Sequence, residues 1–504
     1  MALRVGLAVV MPASAAYDDH FTPIRALLRE GHLPLPSECW ECYQPPLYVV
    51  ISAGVFLAAS STASALGSAP AGAVAAAMKA VQLESALFGC LTLLVCWGVL
   101  RRVVPVAEGE TAPPPGGGAG MRAPTPSARP GVHGFLRPGD TGEALALALV
   151  AFLPQHIYMS AMATNDALTY LVASLAVWAA LRAYAAGWPV GAALLTGVLC
   201  GLAVLGKAYG MATAAAVVCA VGLAAVTQRE RAPAGGPGAG KRRREAQQRP
   251  RVRWGRAILV VAAGALAVGI WPAARNLRLS GRPQVDNFDF FKTRMLTQPP
   301  GSVEAIEWLT LRPVALMQHP WVHPSNVASF WTELYAGLWF DYEATICLQN
   351  FPPWSAFMNR VINRYRGRDL PGAAMIDYGP GDVPAGLARW ARLSYVAGLP
   401  LTAIVLAGFG AALLQWRRFP AALTVLNFCA CLSVPVVQTL RLPFFAAMKP
   451  AFALGALSSV PVFVALLLAA LAGRRRRIVL IAGWAATFAI ALANVGYIVS
   501  QVRP

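Results

Sequence analysis

Ten stretches of predominantly apolar residues punctuate the chain, at roughly 80–100, 143–161, 166–187, 188–206, 208–227, 255–274, 391–415, 419–439, 451–473 and 478–500. Each approaches the ~20 residues that a helix needs to cross the hydrocarbon core of a bilayer. No water reaches that core, so backbone N–H and C=O groups must pair within the segment, and a helix does this. A shorter run, Leu3 to Ala16, opens the sequence and reads as a first span, because no small-residue cleavage site follows a basic start. The pattern predicts an all-α polytopic membrane protein with about eleven transmembrane helices.

Composition agrees: 57% of residues are apolar and 13% charged, with a mean hydropathy of +0.53, more apolar surface than a water-soluble core of this length needs. The net charge of +19 would suit a nucleic-acid binder if it were spread over a polar surface. It is bunched instead at Arg101–Arg102, Arg417–Arg418, Arg474 to Arg477 and segment 229–256, which holds ten Lys/Arg against two Glu. Cytosolic loops flanking membrane helices have this pattern, so no nucleic-acid partner is expected.

Segment 46–68 (PPLYVVISAGVFLAASSTASALG) starts apolar and turns Ser/Ala/Gly-rich. If it lies on the surface as one or two helices, every basic cluster falls on one side of the membrane, so the surface reading is preferred. The N-terminal membrane module then runs over 1–274. Its outer loops are 17–79 and 162–166, and the Pro/Gly/Arg-rich linkers 105–141 and 229–253 are expected to be disordered and cytosolic. A large outer loop, 275–390, carries Trp308, Trp321, Trp331, Trp339, Trp354 and Trp390 as material for a small core. Residues 391–504 form the C-terminal transmembrane helices.

Of the nine cysteines, Cys90, Cys96, Cys200, Cys219, Cys429 and Cys431 lie in apolar runs, where a thiol packs as a small hydrophobe. Cys39 and Cys42 form a C-x-x-C outside any βαβ context. Zinc there would have only His20 and His32 nearby, and a local disulfide on the oxidising side of the membrane is the expectation. His319 and His323, separated by prolines in HPWVHP, read as loop structure.

Chemistry concentrates in the outer loops. Tyr17-Asp18-Asp19-His20-Phe21 follows the first run directly; adjacent carboxylates repel unless a metal, a proton transfer or a hydroxyl uses them, and the plain alternative is a solvated helix cap. Gly31-His32-Leu33-Pro34 and then Gln44-Pro45-Pro46-Leu47-Tyr48 come next. This series resembles the first luminal loop of the GT-C membrane glycosyltransferases, in the protein O-mannosyltransferase and aminoarabinose-transferase-like group. The likeness continues in order with Phe152-Leu153-Pro154 and Ser160 to Asp166, then Gly201 to Lys207, then Trp271-Pro272-Ala273-Ala274-Arg275-Asn276 with Gly281 and Pro283, and finally Met448-Lys449-Pro450. Two departures stand out. Asp18-Asp19-His20 lacks the residue that mannosyltransferases place between the acidic pair and His, and Gln44 stands where those enzymes have His.

The resemblance implies a GT-C-like bundle and a glycosyltransferase that moves a sugar from a polyprenyl-phosphate donor to a hydroxyl acceptor on the non-cytosolic face. Asp18, Asp19 and Asp166 are then the expected catalytic carboxylates, with Asp19 favoured slightly as base because His20 adjoins it. Arg275, Lys207, Lys449 and Arg441 are expected to bind the donor phosphate, Arg275 foremost because a guanidinium holds phosphate bidentately; the alternative for all four is snorkelling to water. His20, Gln44, Asn165 and Asn276 are expected to bind substrate. No cofactor is required by the pattern, a divalent metal is compatible with it, and membrane lipid is the other partner. A transporter would be expected to break its helices in two matching halves and to place charges at mid-membrane, whereas these charges gather at one face. A non-catalytic lipid-binding scaffold is the other alternative.

Overall fold

A computed structural model describes residues 1–16, 18–103, 141–229, 254–285, 287–290, 310–321, 329–342, 385–441 and 449–502. Both linkers, Tyr17, Trp308, His323, Trp354, Met448 and much of 275–390 lie outside them, as does the side chain of Arg441. The regular elements of the described residues are all helices, without a strand. Seven helices are long and apolar enough to cross a membrane, or up to ten if each of three bent pairs is one span.

The difference from eleven has local causes. The first run forms only a nine-residue helix, α1 (Ala2–Val10). Three runs are broken: Thr141–Ala151 (α5) bends by 52° into Pro154–Ala161 (α6), Trp254–Gly269 by 44° into Trp271–Ser280, and the 3₁₀ helix Pro450–Ala456 by 62° into Ser459–Ala470. Pro154, Pro272 and Pro450 each stand in the first turn of their segment, where the missing N–H is harmless but the preceding helix cannot continue through. At the α5–α6 break the freed carbonyls of Ala151 and Val150 accept from the buried Arg4 guanidinium at 2.9 and 3.4 Å, which satisfies groups that lipid could not.

Leu47–Ala65 (α3) is one continuous helix, long and apolar enough to span. It pairs with the part of Pro70–Val103 (α4) that precedes Ser85: Ser52 Oγ donates to Glu84 at 2.7 Å, and Tyr48, Ala53 and Phe56 share a buried cluster with Ala77 and Val81. The later part of α4 runs beside Asn165–Ala185 (α7). Thr164 N donates to Ser85 Oγ at 3.4 Å at one end, and Arg102 lies over Trp178, 5.4 Å from the ring centroid, at the other. Arg101, Arg102 and Arg182 thus gather at one end of α4 and α7, and Thr164 and Asp166 at the other.

Two helices that position the site cross closely through glycines. In Val190–Gly206 (α8), Gly197 and Gly201 face Gly264 and Gly269 of Trp254–Gly269, and an added Cβ on Gly197 would come within 2.4 Å of the Val261 carbonyl. Small residues let membrane helix backbones approach this closely. The crossing fixes the end of α8, where Lys207 sits.

Candidate active site

Two loops distant in sequence are stitched together at the end of the bundle away from the arginines. Ala16 and Ala163 form a parallel β-bridge, with Ala163 N donating to Ala15 O at 3.1 Å. Gln82 Nε2 donates to Pro12 O at 2.5 Å and Ala15 O at 2.9 Å, and Lys79 Nζ holds the carbonyls of Ala8 and Met11 at the end of α1. This stitching brings the residues after Ala16 to the start of α7.

Asp166 is fully buried in the first turn of α7. Thr164 is the N-cap: its hydroxyl accepts from Asp166 N at 3.2 Å and donates to Asp166 Oδ2 at 2.9 Å. Lys207 closes α8 and reaches both carboxylate oxygens of Asp166 at 2.9 Å, and Tyr209 OH donates to Oδ1 at 2.5 Å. Every strong acceptor direction of Asp166 is therefore used. Lys207 also lies 5.5 Å from the Tyr209 ring centroid and 5.7 Å from that of Phe452. Asn165 is buried, and its Oδ1 has no hydrogen-bond partner among the described residues.

Asp18 and Asp19 diverge. Asp18 adopts a left-handed backbone, φ 57°, which non-glycine residues seldom take, and its carboxylate faces Lys449 Nζ at 3.4 and 3.5 Å. Asp19 accepts from the Thr22 hydroxyl and amide at 2.8 and 3.3 Å, tying it to the first turn of Phe21–Glu30 (α2). The favoured base position, Asp19, is thus turned to a helix end, and Asp18 is the member of the pair that points into the cluster.

His20 and Glu41 complete it. Both are buried, 2% and 3% exposed, and donor atoms of Asp18, His20 and Glu41 all lie within 4.8 Å of one another. Tyr48 packs edge-on against His20 at 5.7 Å. Glu41 sits between Cys39 and Cys42, which form a disulfide, and Gln44 Nε2 donates to Glu41 Oε2 at 3.0 Å. Gln44 therefore orients Glu41. Burial, then the Asp18 charge, pushes the Glu41 carboxyl up to about 8. Burial, then Lys207, lowers His20 to about 4. Burial works against the ionised form of Asp18 too, but Lys449, followed by His20 and Lys207, more than offsets it, and the carboxyl sits below its ordinary value.

Arg275, the arginine expected on the phosphate, is engaged at a backbone carbonyl. Arg275 Nη2 donates to Pro34 O at 2.5 Å and its guanidinium lies 5.8 Å from the Trp271 ring centroid. It ties the loop that carries Cys39, Glu41 and Cys42 to the helix Trp271–Ser280. Asn276 is buried on that helix, and its carbonyl accepts from Ser280. A carbonyl target 241 residues away in sequence leaves no trace in composition or spacing. Reading the sequence also missed Glu41, hidden between two cysteines, and Tyr209, whose only signal is its place two residues after Lys207.

No protein-family model matches the chain, and no curated protein does. Among solved structures it is similar to the Archaeoglobus fulgidus oligosaccharyltransferase in the apo form, at 14% identity and TM-score 0.48 over 98% of this chain and 55% of that one. It is similar also to oligosaccharyltransferase AglB from that organism in complex with an inhibitory peptide and a dolichol-phosphate, at 14% identity and TM-score 0.44 over 98% and 55%. The third is ArnT from Cupriavidus metallidurans bound to undecaprenyl phosphate, at 13% identity and TM-score 0.34 over 92% and 76%. The chain spans about half the length of the oligosaccharyltransferase. At these identities and TM-scores the likeness assigns no activity and no residue role.

Proposed function

We propose that this chain is a membrane glycosyltransferase that moves a sugar from a polyprenyl-phosphate donor to a hydroxyl acceptor on the non-cytosolic face. The observation that carries the reading is the convergence of Asp18, His20, Glu41, Asp166, Lys207 and Lys449, drawn from five separate segments, at one end of the helices. Ionisable groups gathered inside a membrane protein are expensive to place and mark a substrate path. Arg101, Arg102 and Arg182 gather at the opposite end of α4 and α7, and by the positive-inside rule this supports a site outside the cytosol. The helix Leu47–Ala65, paired with the part of α4 on the site's side of Ser85, then belongs to the outer surface and does not cross.

In this reading Asp18 accepts the proton of the acceptor hydroxyl as its oxygen bonds to the anomeric carbon. The bond from that carbon to the phosphate oxygen breaks, and polyprenyl phosphate leaves with the electron pair. Attack from the face opposite the leaving group inverts the anomeric configuration. Lys207 and Lys449, fixed by Asp166 and Asp18, supply positive charge where the phosphate develops its own, without reorganising at the moment of reaction. Asp166, with all its strong acceptor directions used, is a positioning residue for Lys207 and not the base.

Incubating the purified protein in nanodiscs with a panel of polyprenyl-phosphate sugars and hydroxyl acceptors tests this. Release of polyprenyl phosphate together with an anomer-inverted product is expected. Absence of release from every donor would favour a non-catalytic membrane protein.

A further inference from the structure

Among the described residues the cluster holds one more acid than cations. Asp18, Glu41 and Asp166 face two ammonium groups, Lys207 and Lys449, each already paired with one of the aspartates. Arg275, the other cation near the loop, is turned to Pro34 O. Among the described residues Glu41 takes part in no ion pair, and its Oε2 accepts from the neutral Gln44 amide. His20 Nε2 is buried and has no hydrogen-bond partner among the described residues, although a buried ring nitrogen of this kind ordinarily finds one. Its imidazole is held edge-on by Tyr48 within 4.8 Å of both remaining carboxylates.

We infer that Asp18, His20 and Glu41 form a binding site for one divalent first-row metal ion, with Glu41 held as a ligand by the Cys39–Cys42 bridge. The donor set is one neutral imidazole nitrogen and two carboxylates, a set that suits manganese, iron or zinc better than the all-oxygen sites of calcium or magnesium. Three protein ligands leave coordination positions open. A divalent ion adds positive charge to the cluster, which suits a site that has to receive a phosphate. Only that last point rests on the glycosyltransferase reading; the ligand geometry does not.

The bridge bears on the site directly. Glu41 lies in a loop without regular secondary structure, and burying its carboxylate there costs desolvation and backbone order. Cys39 and Cys42 close a tight turn around Trp40 and Glu41, with Cys42 N donating to Cys39 O at 3.1 Å and Gln44 N to Glu41 O at 3.2 Å. Both cysteines are buried, so the turn is anchored to the protein and aims Glu41 at Asp18 and His20.

The test uses the full chain in nanodiscs, stripped with a chelator and titrated with Mn²⁺ without donor or acceptor. Electron paramagnetic resonance counts bound ions, and electron spin-echo modulation reports ¹⁴N from a bound imidazole. One bound ion with ¹⁴N modulation is expected, displaced by Zn²⁺. His20→Ala should abolish the modulation and Glu41→Gln, nearly isosteric and safe for the fold, should weaken binding at least about tenfold. Cys39→Ser/Cys42→Ser should weaken it by about 10–100-fold, as loss of a ligand-orienting contact does, and Asp19→Asn should leave it unchanged. No bound ion at millimolar Mn²⁺, or binding that survives both His20→Ala and Glu41→Gln, overturns the site. Either result is independent of whether sugar is transferred.

Discussion

Lys207 Nζ stands 2.9 Å from both carboxylate oxygens of Asp166, with side chains 7% and 0% exposed. The two residues close the ends of neighbouring helices, α8 and α7, so the pair couples helix packing to the chemistry at the mouth of the bundle. Breaking a buried pair by removing one partner leaves an uncompensated charge, at a cost of about 3–5 kcal/mol. Lys207→Met should therefore lower the melting temperature markedly in a detergent or nanodisc thermal scan. Adding Asp166→Asn should recover part of the loss, the signature of direct coupling. A Lys207→Met protein as stable as the parent would mean that the ammonium merely reaches water.

The glycine crossing behind Lys207 makes a sharper packing prediction. A side chain at Gly201 would meet Val268, the Ala265 carbonyl and Gly269 N at 2.6 to 3.0 Å, so Gly201→Val should destabilise by about 1–3 kcal/mol or more as α8 is forced away. Gly191, on the same helix, has nothing within 4 Å of an added Cβ. Gly191→Ala should be neutral or stabilising by up to about 1 kcal/mol. Equal effects at the two positions in a melting assay would contradict the crossing.

Arg275 separates two accounts of one residue. If it anchors the loop through Pro34 O, Arg275→Ala should raise hydrogen exchange across residues 31–46 while changing donor affinity less than about threefold. Loss of donor binding by tenfold or more with unchanged loop protection would restore the phosphate role that its residue type suggests.

Much of the architecture is legible in the sequence because lipid allows few solutions, and apolar length dictates helices. Asp166 and Lys207 are legible for the same reason, as charges at the ends of apolar runs. The choice between Asp18 and Asp19 is not. Adjacent residues point apart, and what separates them is the φ of 57° at Asp18 and the Thr22 hydroxyl that takes Asp19. Glu41 is hidden because its partners come from residues about 20 positions earlier through a fold that no local pattern encodes. The bent pairs follow from Pro154, Pro272 and Pro450, whose presence is visible but whose angle depends on what accepts or donates at the break, as Arg4 does at Ala151 O.

Sugar transfer by Asp18→Asn and Asp19→Asn, assayed side by side, tests the central claim most directly. The assay follows release of radiolabelled sugar from polyprenyl phosphate by protein in nanodiscs. A positioned base contributes about 10²–10⁴ in rate, so Asp18→Asn should lower turnover by at least about a hundredfold with donor binding largely kept. Asp19→Asn, which loses a helix-end contact worth about 1 kcal/mol, should stay within a few-fold of the parent. Unchanged turnover in Asp18→Asn, or a loss confined to Asp19→Asn, would contradict the account.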